Sequence, residues 1–95
     1  MDLQSVVVVA QNQVSTGLEG EVVILNLQSG VYFGLKGVGA RIWELIKDPV
    51  KASDISDAIL VEFSVDRERC EQDVLAILEN LKSSGLIEVK NEAAG

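Results

Sequence analysis

Residues 19–46, EGEVVILNLQSGVYFGLKGVGARIWELI, constrain the fold more than any other part of this 95-residue chain. Two apolar, β-branched segments, 21–27 and 31–35, flank Gln-Ser-Gly, whose glycine can take the positive φ of a tight turn. They predict an antiparallel pair of strands. Apolar residues at helical spacing then predict a helix over residues 38–47. The block carries little catalytic chemistry and its apolar strands have no obvious cover, so it favours a surface that receives another chain.

The segment before this block predicts one further strand. Residues 6–10 are mostly valine and are bounded by polar residues, which is typical of a strand. Residues 11–17 are polar and end in glycine, which indicates a loop. Together with segments 21–27 and 31–35, the first strand predicts a three-stranded antiparallel meander.

Three helices are predicted after the strands. Asp48-Pro49 ends the first helix, because the residue before proline avoids the helical region of φ and ψ. Ser53 is the predicted N-cap of a second helix that reaches about residue 62. Asp66 is the predicted N-cap of a third helix, and Gly85 is its predicted C-cap.

These elements predict an α+β fold in a single domain over residues 1–90. It is winged helix-turn-helix-like, with a three-stranded antiparallel sheet followed by three helices. Residues 86–89 are predicted to form a short strand or a packed tail, and residues 91–95 a frayed tail. Winged helices usually bind DNA, but a fold does not determine a function.

The charge of the chain argues against nucleic acid as a partner. Eight basic and fifteen acidic residues give a net charge of −7, and most of the acids lie between residues 44 and 79. Such a surface repels the phosphate backbone that supplies most non-specific nucleic-acid affinity. It should instead attract a basic peptide or protein.

The residue types present also limit the chemistry. The chain has no histidine and a single cysteine, Cys70, which excludes Ser-His and Cys-His nucleophile pairs and the usual zinc sites. No enzymatic activity, metal or cofactor is therefore predicted. A lone thiol predicts a cytoplasmic protein, and the apolar runs are too short for a membrane span.

Segment 31–35, VYFGL, is the predicted binding edge. An edge strand is usually protected by charge or proline, and this segment has neither, so it can receive a partner strand. It can also pair with a second copy, which predicts a monomer or a weak strand-edge dimer. Gly34 lets another backbone approach closely, and Tyr32 is expected at the rim. For Phe33 or Leu35 taken alone, a place in the core is the favoured interpretation.

The third helix provides a second predicted surface. Its apolar arc is about 160° wide, against the ≳100° typical of a surface helix. Either the small domain wraps this helix on two sides, or one flank stays open beside segment 31–35 and forms a groove. Asp73 flanks the arc, as a solvated acid or as a group that holds a basic or N–H donor. Cys70 is predicted to be a small buried or half-buried hydrophobe, and Arg67 an ion-pair partner at helical spacing.

Three motifs together resemble the PqqD-like family. G-x-Y-F-x-L, V-G-x-x-I-W and D-V-x-x-x-L-x-x-L-x-x-x-G-L-I occur in this order within residues 19–88. The resemblance implies a RiPP recognition element, a domain that binds the leader segment of a ribosomally made precursor peptide and presents it to a modifying enzyme. It implies further that the leader adds as a strand to segment 31–35 and packs against the third helix.

The resemblance also carries residues and partners to this chain. The implied strand and helix contacts are Val31, Tyr32, Phe33, Gly34, Leu35, Cys70, Asp73, Val74 and Ile77, with Arg67 at the rim. Stand-alone members serve lasso-peptide pathways beside a leader-cleaving protease, or quinone cofactor pathways beside a radical SAM enzyme. The long N-terminal strand region favours the lasso-peptide version. The quinone pathway stays open, and a DNA-binding regulator is the least favoured alternative.

Overall fold

The computed structural model describes residues 1–90, so the predicted tail at 91–95 lies outside the described residues. The elements are β1 (Val6–Val9), β2 (Gln13–Leu18), β3 (Glu21–Asn26), β4 (Tyr32–Lys36), α1 (Val38–Leu45), β5 (Val50–Lys51), α2 (Ala52–Phe63), α3 (Arg67–Ser83) and β6 (Ile87–Val89). They form two antiparallel sheets, ordered β5-β1-β6 and β2-β3-β4. The predicted class is confirmed, because a three-stranded antiparallel sheet is followed by three helices.

The predicted membership of that sheet was wrong. β1 does not pair with β3. It lies between β5 and β6, with Val7 opposite both Val50 and Val89. The valine run therefore pairs the N-terminal segment with the C-terminal strand β6. Residues 86–89 were predicted to form a short strand or a packed tail, and residues 87–89 form a strand. Val7 is fully buried at the centre of this small sheet.

The third strand of the main sheet is β2, which sequence reasoning assigned to a loop over residues 11–17. β2 pairs with β3 along its whole length, from Gln13 opposite Asn26 to Leu18 opposite Glu21. The link between them is Glu19-Gly20, and both residues have positive φ, 45° and 81°. Such two-residue turns match the twist of a hairpin, so the turn lies two residues beyond the glycine that suggested a loop.

The β3–β4 turn is organised by a buried side chain, that of Asn26. Its Oδ1 accepts hydrogen bonds from the backbone N–H groups of Gln28 and Ser29, at 2.9 and 3.1 Å. Gly30 has a φ of 74° and donates its N–H to the Asn26 carbonyl. The predicted turn at Gln28-Ser29-Gly30 is confirmed, and β4 begins at Tyr32, one residue later than predicted.

The start of α2 differs from the prediction. The helix begins at Ala52 after Lys51, and no side chain caps it. The first amides are satisfied by the N-terminal segment instead, because Ala52 N–H donates to the Ser5 carbonyl and Ser53 N–H to the Leu3 carbonyl. Ser53 was predicted as the cap because a sequence shows side-chain acceptors but not carbonyls brought from a distant segment.

Both ends of α3 are capped. The Oδ2 atom of Asp66 accepts the N–H of Arg69 at 3.1 Å, so the predicted N-cap is confirmed. At the other end Ser84 is the C-cap, and Gly85 follows with a φ of 73°. The bonds from Gly85 N–H to the Lys82 carbonyl and from Leu86 N–H to the Leu81 carbonyl form a Schellman motif.

The core lies between the main sheet and the three helices. Trp43 on α1 is 1% exposed, and its Nε1–H donates to Ser15 Oγ on β2 at 3.1 Å. Truncating such a side chain to alanine typically costs about 3–5 kcal/mol. α1 also packs directly on β4, and this contact holds the exposed edge of the sheet in place.

Candidate peptide-binding groove

β4 is an edge strand, and alternate backbone groups along it point away from the sheet. Asn26 N–H donates to the Val31 carbonyl at 3.0 Å, which makes positions 26 and 31 a hydrogen-bonded pair. Because such pairs alternate in an antiparallel ladder, Phe33 and Leu35 bond to β3. The N–H and C=O groups of Tyr32, Gly34 and Lys36 face the free edge.

The side chains of β4 alternate in the same way. Phe33 and Leu35 are half-buried and pack against the core, as expected for each of them. Tyr32 is 68% exposed, which agrees with a place at the rim, and a Cβ built at Gly34 would meet no atom within 4 Å. The edge is therefore open both to a backbone and to large side chains approaching Gly34.

One charged residue lies at the end of this edge. The Lys36 Nζ atom is 3.4 Å from Glu21 Oε1 on β3, and both side chains are largely exposed. The pair leaves the remaining positions of β4 without charge. No described residue between Val31 and Leu35 protects the edge by charge or by proline.

The buried stripe of α3 is narrower than its apolar arc. Its buried residues are Cys70, Val74, Leu78 and Leu81. Ile77 and Leu75 lie on opposite flanks of this stripe and are only half-buried. The domain therefore does not cover α3 on both sides, and each flank of the helix keeps accessible apolar surface.

A small apolar depression shows which flank faces β4. It is lined by Val38, Ile59, Val65, Cys70, Asp73 and Val74. Val38 begins α1 directly after β4, so the Asp73 flank of α3 lies beside the end of that strand. Ile77 is one turn further along the same flank, since residues at i and i+4 share a helix face.

The opposite end of α3 meets the β3–β4 turn. Asn26 Nδ2 donates to the carbonyl oxygen of Ser84 at 3.0 Å. The N-terminal part of α3 thus lies near Val38 and its C-terminal end near Asn26, so α3 runs antiparallel to β4. We define the α3–β4 groove as the space between the free edge of β4 and the α3 flank that carries Asp73 and Ile77.

The predicted helix residues occupy different depths of this groove. Asp73 is exposed and Ile77 is half-buried, so both present side chains to it. Cys70 is 3% exposed and its Sγ lies 3.6 Å from both Ser56 Oγ and the Ser56 carbonyl oxygen. Val74 is 0% exposed. These two residues support the wall from beneath, and a charge placed at Val74 would disrupt the core.

Arg67 is not brought to the groove with the others. It lies about 60° from Cys70 around the helix, on the side opposite to Asp73. Its Nη1 atom is 3.2 Å from Asp57 Oδ1 on α2 and 3.8 Å from Glu71 Oε2. The predicted pairing of Arg67 at helical spacing is confirmed. Arg69 makes a similar pair with Asp73, and the charged atoms are 3.8 Å apart.

Sequence reasoning missed the residues that complete the depression, Val38, Ile59 and Val65. A signal was available for Val65, which directly precedes the N-cap Asp66. An apolar residue at that position often packs on the fourth residue of the helix. In α3 the fourth residue is Cys70, and the two side chains line the same depression.

An ion pair joins α1 and α2 beyond the depression. Arg41 Nε donates to Glu62 Oε1 at 2.8 Å, and Arg41 Nη2 donates to Glu62 Oε2 at 3.0 Å. These hydrogen bonds lower the pKa of Glu62 below its ordinary value of 4.5 and raise that of Arg41. Both groups therefore stay charged near neutral pH and hold α1 against α2.

The described part of the chain provides no metal centre of the kind that acidic and thiol side chains build. Within residues 1–90, no three Cys, Asp or Glu side chains are placed together to hold an ion. No helix in the same range is both long and apolar enough to cross a bilayer.

Comparison with known proteins connects this geometry to one family. Residues 21–87 match the family model of coenzyme PQQ synthesis protein D (PqqD). No curated protein matches the chain significantly. One similar solved structure is that of TbiB1 in complex with the TbiA(beta) leader peptide. It is 42% identical, the match covers 85% of this chain and 94% of that chain, and the TM-score is 0.81.

A second solved structure is that of a lasso peptide synthetase B1 complexed with the leader peptide. The sequences are 23% identical, the match covers 86% of this chain and 96% of that chain, and the TM-score is 0.77. At this identity the likeness shows a common fold. It extends over most of both chains.

Proposed function

The chain belongs to the PqqD family, and from this premise we propose that it is a RiPP recognition element: a leader-peptide-binding adaptor of lasso-peptide biosynthesis. The leader segment of a precursor peptide binds in the α3–β4 groove. The adaptor then delivers the leader to a modifying enzyme, the protease that removes it. One observation carries the proposal, namely the unprotected edge of β4 beside an open flank of α3.

The free edge of β4 supplies the backbone part of the binding. The N–H and C=O groups of Tyr32, Gly34 and Lys36 can pair with an extended peptide, which then becomes the fourth strand of the main sheet. Backbone pairing of this kind depends little on the peptide sequence. Gly34 has open space above it, so the peptide can approach there without a clash.

The α3 side of the groove supplies selectivity for the leader sequence. Side chains of an added strand alternate between two faces, so every second leader residue points towards α3. There it meets apolar surface at Ile77 and the carboxylate of Asp73. An apolar leader residue can pack on Ile77, and a basic or N–H donor group of the leader can bind the carboxylate of Asp73. The predicted contacts at Val31, Phe33 and Leu35 form the strand side and floor of the groove.

Two findings support the lasso-peptide pathway. TbiB1 is solved with a leader peptide and is 42% identical to this chain over most of both lengths. The neighbour with lower identity is a lasso peptide synthetase B1. The matching family model is named for coenzyme PQQ synthesis, so delivery to a radical SAM enzyme of a quinone pathway is the second candidate.

In the adaptor role, this chain binds the leader, and the partner enzyme carries out the reaction on the precursor peptide. The functional groups of the groove are an edge of backbone amides, apolar side chains and one exposed carboxylate. This set can bind a peptide but has no nucleophile paired with a base. The one thiol, Cys70, is buried, which fits an adaptor without an activity of its own.

A titration with the TbiA(beta) leader peptide tests this function, because that peptide binds a relative of this chain. The labelled peptide is mixed with increasing amounts of the protein, and fluorescence anisotropy is recorded. Saturable binding in the micromolar range or below is expected. Absence of binding to this peptide and to any leader encoded beside the chain would refute the adaptor role.

Replacement of Ile77 by glutamate tests the groove itself, and Leu75→Glu is the matched control. Both residues are half-buried and apolar and lie on the same helix, but on opposite flanks of the buried stripe. Ile77→Glu should weaken leader binding at least about tenfold, because it desolvates a carboxylate in the groove. Leu75→Glu should lower the free energy of unfolding to a similar extent and leave binding nearly unchanged. Equal losses of binding in both variants would place the leader elsewhere.

A further inference from the structure

The side chain of Asn26 connects the two walls of the groove. It is 5% exposed, and its amide makes hydrogen bonds in two directions. Its Oδ1 accepts the N–H groups of Gln28 and Ser29, within its own turn. Its Nδ2 donates to the carbonyl oxygen of Ser84, 58 residues away. One half of the amide therefore belongs to the β3–β4 turn and the other half to the end of α3.

The acceptor of this bond is fixed in place. Ser84 is the C-cap of α3, and carbonyls at that end of a helix lack partners within the helix. The next residue, Gly85, has a φ of 73°, and a Cβ at this position would lie 3.4 Å from Asn26 Nδ2. The Schellman motif thus turns the Ser84 carbonyl towards the sheet, and Gly85 provides the positive φ that this motif needs.

The two ends of the groove are held in different ways. At the end near Val38, apolar side chains of α1, α2 and α3 meet around the small depression. At the other end, the Asn26–Ser84 hydrogen bond ties the turn that leads into β4 to the last turn of α3. A directional bond fixes a separation more closely than apolar contact does, since it weakens steeply when length or angle changes.

From these contacts we propose that Asn26 is a positioning residue that sets the width of the α3–β4 groove and so prepares it for the leader. The inference rests on the proposed function. An added strand can satisfy the β4 edge and touch α3 together only when the two walls are the right distance apart. A groove that already has this spacing does not lose binding free energy to rearrangement.

The substitution Asn26→Asp removes the hydrogen bond to α3 and keeps the hydrogen bonds within the turn. It keeps the size of the side chain and an oxygen that accepts from Gln28 and Ser29, so the turn is retained. It removes the N–H donor and places a second oxygen against the Ser84 carbonyl. The separation between the turn and α3 should therefore increase, while the β3–β4 hairpin keeps its form.

The control is Val7→Ala, which truncates a fully buried side chain in the other sheet. Affinity for the TbiA(beta) leader peptide is measured for the wild type and both variants at a temperature where each is about 99% folded. At that temperature a variant whose only defect is lower stability still has nearly all its molecules folded and able to bind the peptide. Its affinity should therefore equal that of the wild type. Asn26→Asp is expected to bind about fivefold to tenfold more weakly, and Val7→Ala less than about twofold.

The outcomes separate the two proposals. Wild-type affinity in Asn26→Asp would overturn the positioning role and leave the adaptor function standing. A wild-type protein that binds neither this peptide nor a leader encoded beside it would overturn both. If Asn26→Asp does not fold, Asn26→Ser gives the same test, because its hydroxyl can still accept from the turn but is too short to reach Ser84.

Discussion

The ion pair of Arg41 and Glu62 shows how a single residue makes stability depend on pH. The folded-state pKa of Glu62 lies below its ordinary value of 4.5, chiefly because Arg41 hydrogen-bonds to the carboxylate. A lowered pKa means that the pair stabilises the fold fully above the unfolded-state pKa. This stabilisation is lost as the pH falls through the folded-state pKa.

The substitution Glu62→Gln removes this dependence. At pH 7 it should lower the free energy of unfolding slightly, because both side chains are more than a third exposed and solvent screens the pair. Once the pH has fallen through the folded-state pKa of Glu62, the wild-type carboxylate is itself protonated, so the two proteins should unfold alike. Urea titrations at both pH values measure the difference. A difference that is the same at both values would show that the charge of Glu62 does not stabilise the fold.

Individual residues were predictable where their own chemistry determines their place. Trp43 is in the core, Tyr32 is at the rim and Asp66 caps α3, each for a reason visible in the residue and its neighbours. The partner of Asn26 was not predictable, because Ser84 is distant in the chain and offers a backbone carbonyl. The direction of Arg67 likewise depends on where α2 places Asp57. Contacts between distant elements are the part of the site that the sequence does not show.

At the scale of elements, Gly34 offers a test of strand addition. Its backbone N–H faces the free edge, so replacing Gly34 by proline removes a donor from the edge without breaking the β3–β4 ladder. Gly34→Ala is the control, because it keeps the N–H donor and its Cβ points out of the plane in which a partner strand pairs, where it meets no atom of the chain within 4 Å.

Gly34→Pro should weaken binding of the TbiA(beta) leader peptide by about tenfold, because it removes one hydrogen bond and its ring blocks the approach of the peptide. Gly34→Ala should bind within about threefold of the wild type. Anisotropy titrations measure both, and circular dichroism verifies that the sheet is retained. Unchanged binding in Gly34→Pro would mean that the leader does not pair with β4.

The helices and the β3–β4 hairpin were predicted because their signals are local. Apolar spacing, caps and a glycine turn all lie within a few residues of the element that they define. The partners of β1 were not predictable, because β5 and β6 are short strands that follow much later in the chain. β2 was missed because only two of its six residues, Val14 and Leu18, are large and apolar, and both are exposed. One of its faces is exposed, and only the Glu19-Gly20 turn after it indicates a hairpin.

At the scale of the whole molecule, the free edge of β4 also bears on self-association. Two copies that pair through β4 would bring together two chains of net charge −7. Their repulsion keeps such a dimer weak when salt is low, and added salt screens it. The leader and a second copy would use the same backbone groups, so they should exclude each other.

Sedimentation velocity tests this competition at about 50 mM and about 500 mM salt, conditions that change the screening length severalfold. The chain should be monomeric at low salt, and any dimer should become more populated at high salt. Saturating TbiA(beta) leader peptide should return it to a one-to-one complex, whereas Gly34→Pro should remain monomeric without peptide. A dimer that persists with bound leader would use a different surface, such as the outer edge of β2. The β4 edge would then be free for the leader at all protein concentrations.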